Sequence, residues 1–484
     1  MQLFEDQAEF VDKLRQSLRE GNRSVLGVAS PAFGKTVVAG YITREVYAKG
    51  GSCWFLVHRK NLLRQTSQSF WKAKIEHGLL TSGKRQSKLP VQVGTIGTVY
   101  SRLDSMTPPK VLFIDEAHLA RGNMFETVIR WALDHGAVVI GLTGTPVRLD
   151  GKALGDLFTV MVDAKPTSWL IEQGRLSEYE IYSTPVLPDL SDVKKSGGDY
   201  NREQLADAMG KATIVGDAVE HYRKLAMGKR AVCYCANVAH SKQTAAAFTA
   251  AGIPAVHVDA DTTEAELKDA CLGLADGRYL VLTNCELVIE GFDLSAQVGR
   301  DITLEVCILL RPTQSLARYL QMVFRALRRK PHPALILDHA GCAMQHGLPD
   351  DEREWSLDGR DKRKRKQDDE AELKIKQCSK CYHIFKAGPA ACPKCGEELP
   401  VKGRAELQVT AGELQKIDVA AVRREQKREQ GSARGLRDLV SLGIRRGMNR
   451  PAEWSAITFA ARQHRKPTAA EFKQARDYQR ELQK

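Results

Sequence analysis

The stretch Val25-Leu-Gly-Val-Ala29-Ser-Pro-Ala-Phe-Gly34-Lys35-Thr36 runs from an apolar segment of strand length through a short loop into the helical pattern of residues 37–48. A loop in that place gathers backbone N–H groups and a helix N-terminus around one point, which is how a chain binds phosphate. Lys35 would neutralise β- and γ-phosphate oxygens, and Thr36 would offer its hydroxyl to Mg2+. Ala29 replaces the leading glycine of such loops, and Ala32 and Phe33 stand where small flexible residues are common. These substitutions put bulk beside backbone that must approach a nucleotide closely, so a competent but slow site is expected.

A second segment supplies the rest of the chemistry. Val111-Leu-Phe-Ile-Asp115-Glu116-Ala117-His118 is an apolar strand ending in two adjacent carboxylates. Asp115 is placed to hold Mg2+ through water, and Glu116 to act as general base on an attacking water. Around these segments, apolar runs at residues 53–57, 91–95 and 138–143 complete one series of strands. Another follows at 231–235, 255–259, 279–283, 306–310 and 334–338. Short apolar runs alternating with helical periodicity predict parallel sheets covered by helices, here two α/β domains of similar size. Residues 185–200, rich in Pro, Gly, Ser and Asp, read as a loop or hinge between them.

With 484 residues the chain is too long for one core. No stretch approaches the roughly 18 consecutive apolar residues of a membrane span. Residues 1–12 lack a basic leader and an apolar secretion segment, so a cytoplasmic location is expected. The net charge of +13 is unevenly placed: residues 1–357 hold 42 Lys+Arg against 41 Asp+Glu, and residues 358–484 hold 30 against 18. An excess of +12 in the tail suits attraction to a polyanion such as nucleic acid, or marks a solvated extension. The run Lys362–Lys366 reads in the same two ways, as a solvated linker or as a targeting or DNA-binding patch.

Four of the eleven cysteines fall in the tail as Cys378-x-x-Cys381 and, after ten residues, Cys392-Pro-Lys-Cys395. Two such knuckles close a tetrahedral Zn2+ site with no open position, hence a structural one, whose metal supplies the folding energy of a module this small. A redox pair is the alternative. The other seven cysteines read as buried thiols in a reducing compartment. Further on, Trp454, Phe459, Phe472 and Tyr478 are interleaved with Arg462, His464, Arg465, Lys466, Lys473 and Arg476. Such a mixture can grip a strand by charge and stacking, but aromatics at helical spacing favour a small core.

Taken in order, these residues resemble superfamily 2 helicases of the DEAH type, over about Leu3 to Cys395, and especially phage or prophage forms with a terminal zinc ribbon. Gln7 resembles the glutamine that reads adenine. Phe55-Leu-Val-His58-Arg59 through Gln65, and Val93-Gly-Thr95-Ile-Gly-Thr98, resemble segments that track the nucleic-acid backbone. Thr143-Gly-Thr145-Pro146, continuing into Arg148, Leu149 and Asp150, resembles the motif that couples hydrolysis to domain movement. Asn284 through Glu290-Gly-Phe-Asp293 resembles the fifth motif, and Gln321-Met-Val-Phe-Arg325-Ala-Leu-Arg328 the sixth, whose arginines act as fingers. Phe324 and Ala326 stand where that motif usually has glycines. Arg325 and Arg328, three apart, are expected to share one face of a helix.

The resemblance implies two tandem RecA-like domains, ATP and Mg2+ as cofactors beside Zn2+, and a nucleic-acid partner. The expected order is an ATP-binding domain over 1–165, a connector over 166–200, a second domain over 201–350, a charged linker over 351–376, a zinc ribbon over 377–400 and a basic helical tail over 401–484. Lys35, Asp115, Glu116, Gln321, Arg325 and Arg328 would carry catalysis. Gln7, Ala32, Phe33, Gly34, Lys35, Thr36 and Asp293 would bind nucleotide. His58, Arg59, Thr95 and Asn284 would touch nucleic acid, and Thr143 and Thr145 would couple. DNA is favoured over RNA. An RNA helicase, a restriction-type motor subunit and an inactive nucleic-acid-binding protein stay open.

Overall fold

The protein is described from a computed structural model over residues 2–83, 87–119, 123–146, 153–183, 190, 193–196, 199–209, 212–287, 294–353, 355–358, 375–377, 384–386, 415–417, 419–448, 450–463 and 465–483. Its chain divides into two compact units, one holding both large sheets and one formed by the tail.

The first sheet is built from β1 (Ser24–Val28), β2 (Cys53–Val57), β3 (Gly78–Leu80), β4 (Val91–Thr95), β5 (Val111–Asp115), β6 (Val138–Thr143) and β7 (Val160–Asp163). Their order is β3-β4-β2-β5-β6-β1-β7, and every pairing is parallel. Parallel strands need crossovers, and α1 (Glu5–Arg19), α2 (Lys35–Ala48), α3 (Lys60–Lys72), α4 (Ile96–Tyr100) and α5 (Asn123–Asp134) supply cover on the faces. That is why β1, β2 and β4 are buried along their whole length, and why β2 reads as an uninterrupted apolar run. Leu26, Trp54, Leu56, Leu112, Ile114, Val128 and Phe158 share one core.

α6 (Thr167–Glu172) leads into β8 (Tyr179–Ser183), and a small hairpin, β9 (Lys195–Ser196) and β10 (Asp199–Tyr200), follows. β8 is a strand of the second sheet: Tyr179–Ser183 pairs in parallel with 334–338, although it lies inside the stretch expected to be connector. Its alternating burial, with Glu180 and Tyr182 less buried than their neighbours, hides it from a search for continuous apolar runs.

The second sheet continues through β11 (Ala231–Tyr234), β12 (Ala255–Val258), β13 (Val281–Asn284), β14 (Val306–Leu309) and β15 (Ala334–Asp338), in the order β12-β13-β11-β14-β15-β8. All of these pairings are parallel as well. Helices α7 (Arg202–Met209), α8 (Ala212–Leu225), α9 (Val238–Ala250), α10 (Glu264–Asp276), α11 (Leu294–Val298), α12 (Leu316–Val323) and α13 (Cys342–His346) connect it. Tyr222 and Phe248 meet edge to face at 5.6 Å in its core, beside Cys233, Ile308 and Leu337. The fold is thus a tandem of RecA-like α/β domains. Cys53, Cys233, Cys235, Cys271, Cys307 and Cys342 are buried and Cys285 is half-buried, none of them in a disulfide.

Residues expected to begin a charged linker return to the first domain. Trp355 and Leu357 pack on its core, and the Leu357 carbonyl accepts from the N–H groups of Leu154 at 3.0 Å and Gly155 at 2.9 Å.

In the tail unit, β16 (Ile375–Gln377) pairs antiparallel with β17 (Ile384–Lys386). Helices follow at Val419–Ser432, Leu436–Arg445, Pro451–Ala461 and Ala469–Leu482. Phe459, Phe472 and Tyr478 pack against Leu436, Val440, Ala452, Ala456 and Ala475, and Trp454 packs with Leu439 and Leu442. The tail aromatics therefore pack, partly buried, on a small helical core. Among the described residues no helix is long and apolar enough to cross a membrane.

Candidate functional site

Parallel register brings the motif residues of the first domain to one sheet edge. Val28 lies beside Thr143, Val57 beside Thr95, and Asp115 beside Leu142, so the segments after each strand share the carboxyl edge where α/β sheets bind ligands. The Thr143 carbonyl accepts from the Ala29 N–H at 2.9 Å, which ties the phosphate loop to the segment Thr143–Thr145.

The phosphate loop turns through two left-handed residues, Ala32 at φ 67° and Gly34 at φ 98°. Gly34 is needed twice over: its φ suits glycine, and a Cβ there would stand 2.6 Å from Gln7 Nε2. Ala32 is exposed, and Lys35 opens α2 with its Nζ 3.3 Å from the Ala29 carbonyl. Thr36 follows, half-buried. Phe33 corrects the expectation drawn from the sequence. Its ring is 1% exposed and packs edge to face on Phe10 at 5.5 Å, so its bulk fills the core beneath α1 and leaves the loop backbone open.

Gln7 accounts for both ends of its amide within this region. Its Oε1 accepts from the Phe4 N–H at 3.1 Å and its Nε2 donates to the Phe33 carbonyl at 2.9 Å. The glutamine therefore sits directly on the phosphate loop.

Asp115 is raised to about 7 by burial first and by the negative Glu116 second, while Lys35 and His58 pull it down. Glu116 adopts φ 47°, a strained value for a residue with a Cβ. Its Oε2 lies 3.3 Å from His118 Nδ1, which lies 2.9 Å from Thr143 Oγ1. Thr143 Oγ1 also donates to the Thr145 carbonyl and accepts from the Thr145 N–H, both at 3.1 Å. His118 Nδ1 thus lies within hydrogen-bond reach of Thr143 Oγ1 and near Glu116 Oε2, joining the three side chains in one cluster.

His58 is half-buried and Arg59 is exposed as the N-cap of α3. Thr95 Oγ1 meets Thr98 Oγ1 at 2.9 Å. Asn284 departs from its expected contact with nucleic acid: it is fully buried, and its Nδ2 donates to the Cys233 carbonyl at 3.0 Å, bracing β13 against β11. Gln321 lies on α12, 9% exposed.

The two sixth-motif arginines do not share a helix. α12 ends at Val323 with Phe324 as its C-cap, Arg325 lies in the turn that follows, and Arg328 forms an antiparallel bridge with Leu176. Phe324 at 2% and Ala326 at 0% exposure point into the core, so neither crowds a nucleotide. Both arginines are electrostatically felt at Tyr234, the last residue of β11: burial and Cys307 push its phenol up, and Arg325 and Arg328 pull it back.

Sequence reading missed a charge network in the second domain. Arg311, 1% exposed, meets Glu286 at 2.9 Å and Asp199 at 3.8 Å; Arg318 pairs with Asp199 and lies 3.6 Å from Glu286. Thr313 Oγ1 and the Gln314 N–H donate to Asp199 at 2.9 and 2.8 Å. Buried charges persist only when paired in this way. The network joins the hairpin, the segment after β13 and α12, elements distant in sequence, and no local motif announces it.

Arg148, Leu149, Asp150, Glu290, Asp293, His464 and the four tail cysteines Cys378, Cys381, Cys392 and Cys395 lie outside the described residues. Among the described residues no group of three or more His, Cys, Asp or Glu is arranged to hold a metal.

Residues 1–148 match the family model described as Type III restriction enzyme, res subunit. The chain is 34% identical over 396 residues to the 51.5 kDa protein of a Lactococcus phage, covering 81% of this chain and 82% of that one. It is 26% identical over 348 residues to a Saccharomyces cerevisiae protein named "Putative ATP-dependent helicase IRC3", covering 66% of this chain and 49% of the yeast protein, so it spans about half that relative's length. Among solved structures, the ATP-dependent Type ISP restriction-modification enzyme LlaBIII bound to DNA shares the fold, with TM-score 0.52 and 16% identity over 70% of this chain and 28% of that one. This chain therefore belongs to the same family as the Lactococcus phage 51.5 kDa protein, and its residues 1–148 match the res-subunit model.

Proposed function

We propose that this chain is an ATP-driven motor that moves on or unwinds DNA. The observation that carries the reading is the gathering of Lys35, Asp115, Glu116, Thr143 and Thr145 at one sheet edge, in a domain joined to a second that bears Arg325 and Arg328. Phosphoryl transfer needs little covalent help and much placed charge. Lys35 would bind the terminal phosphates, Gln7 would read the base, and Glu116 would take the proton of the attacking water. Arg325 and Arg328 would add positive charge when the domains close. Thr36 and Asp115 would hold Mg2+, which when bound neutralises phosphate oxygens; the raised Asp115 and the buried, unpartnered Ser30 Oγ in the loop fit that use. His118, in contact with both Glu116 and Thr143, would link the general base to the coupling segment.

Cys378, Cys381, Cys392 and Cys395 would bind one Zn2+. Strands β16 and β17 flank the first pair in sequence, as a knuckle between two strands would require. DNA is preferred as the track because the DNA-bound restriction-modification enzyme shares the fold, and the DEAH form agrees. A motor subunit of a restriction-type translocase is the second reading, favoured by the family match over residues 1–148.

The roles are separated by Lys35→Ala and Glu116→Gln. Both should abolish ATP hydrolysis, and Glu116→Gln should still bind a fluorescent ATP analogue. Hydrolysis surviving in either variant would overturn the assignment.

A further inference from the structure

Two clamps meet on the short segment between α6 and β8. At its first residues, Arg175 pairs with Asp6, which is 2% exposed, and its guanidinium lies 3.6 Å from the centre of the Phe4 ring. Asp6 and Gln7 are neighbours on the first turn of α1, and Gln7 accepts from the Phe4 N–H. Two residues on, Ser177 holds the loop that bears the sixth-motif arginines. Its N–H donates to the Leu327 carbonyl at 3.0 Å, its Oγ donates to the Arg328 carbonyl at 2.8 Å, and it accepts from the Lys330 N–H at 3.1 Å.

Lys330 completes this second clamp. Its ammonium reaches the Ser177 hydroxyl at 3.3 Å, the Arg328 carbonyl at 3.2 Å and the Ala326 carbonyl. Three donors against three acceptors leave the ammonium satisfied while half-buried. Burial lowers Lys330 to about 8, with Glu305 opposing that shift. Between the clamps, Leu176 bridges Arg328 by backbone pairing. A continuous chain of contacts therefore runs from the first turn of α1, through Arg175, Leu176 and Ser177, to the loop of Arg325 and Arg328.

We propose that Arg175, Ser177 and Lys330 are positioning residues through which occupancy of the base site beside Gln7 sets the placement of Arg325 and Arg328. The proposal rests on the reading of this chain as an ATPase whose glutamine reads adenine. A base drawn against Gln7 competes for the amide that now holds Phe4 and Phe33, and so acts on the turn that Arg175 grips. Arg175 is two residues from Ser177, and Ser177 is hydrogen-bonded to the Leu327 and Arg328 carbonyls, so a shift at one end has a connected route to the other. Coupling of this kind is reciprocal, so a base that fits also favours the closed placement of the arginines.

The test is a cycle between the nucleotide base and the protein, using the full chain with saturating single-stranded DNA. In the unaltered protein, kcat with ATP should exceed kcat with UTP. Arg175→Ala should lower kcat for ATP by roughly tenfold, the scale of one lost charge-assisted hydrogen bond, and should bring it close to the UTP value. The penalty should fall on ATP and spare UTP, with KM for ATP changed less than kcat. Arg175→Lys, which keeps a charge opposite Asp6, should restore part of the ATP rate, and Ser177→Ala should repeat the pattern from the other clamp. Equal losses for ATP and UTP, with thermal melting unchanged, would overturn the proposal and leave the clamps as scaffolding. Absence of hydrolysis in the unaltered protein would instead defeat the ATPase reading beneath it.

Discussion

His118 Nδ1 lies 2.9 Å from Thr143 Oγ1, and through that contact the strand bearing Asp115 and Glu116 is joined to the segment Thr143–Thr145. Glu116 Oε2 lies 3.3 Å from the same imidazole nitrogen, so the carboxylate proposed as general base and the Thr143–Thr145 segment meet at one side chain.

Thr143→Val removes the hydroxyl from this relay while keeping the side chain's volume. DNA-stimulated ATP hydrolysis should fall by about tenfold, as expected for loss of a buried hydrogen bond of about 1–1.5 kcal/mol. Unstimulated hydrolysis should change less. Steady-state rates with and without single-stranded DNA check this, and equal losses in both would show that Thr143 supports the site without coupling it.

Asp115 gives a pH dependence whose sign can be worked out. Its native value of about 7 stands above the roughly 3.9 of an unfolded Asp, so the native state carries the extra proton between them. The stabilisation from this group is fully present below the unfolded value and is lost as pH rises through about 7. Asp115→Asn removes the charge that burial penalises. In thermal melts without Mg2+ or nucleotide, the variant should gain on the unaltered protein as pH rises from about 5 to about 8. A gap that stays constant across that range would contradict the shift.

Phe33 offers the plainest separation of packing from binding. Phe33→Leu should lower stability by roughly 1–1.5 kcal/mol through loss of the ring contact with Phe10, yet leave KM for ATP unchanged. Denaturant titration and steady-state kinetics check the two halves. A large rise in KM would return Phe33 to the nucleotide side of the loop.

Much of the fold was legible because fully buried parallel strands write themselves as apolar runs. Val25, Phe55, Leu112 and Val139 all lie in such runs, and each run is a strand. β8 was not legible: Glu180 and Tyr182 break its run, and only pairing with β15 makes it a strand of the second sheet. At the site, Lys35 and Asp115 were singled out by type and spacing and Thr143 by resemblance, and the fold brings their segments to one sheet edge. The directions of Phe33, Phe324 and Ala326 did not, since a one-dimensional pattern places a side chain in a loop without saying which way it turns. The same limit misplaced Arg325 and Arg328 on a helix, because the end of α12 is set by the turn that feeds the bridge to Leu176. Arg175, Ser177 and Lys330 belong to no motif, and only the folded chain brings them together.

The zinc reading makes a compositional prediction. Purified protein should carry about one Zn2+ per chain, and Cys378→Ser together with Cys381→Ser should lose it while ATP hydrolysis without DNA persists. Metal analysis of both proteins decides it, and zinc retained at full occupancy in the double variant would contradict the assignment.

Track-stimulated ATP hydrolysis tests the central claim most directly, measured with matched single-stranded DNA, duplex DNA, forked DNA and RNA and with Lys35→Ala as control. A DNA motor predicts hydrolysis that rises at least several-fold with one or more of the DNAs, less with RNA, and vanishes in Lys35→Ala. Hydrolysis indifferent to every nucleic acid, or undetectable in the unaltered protein, would contradict the account.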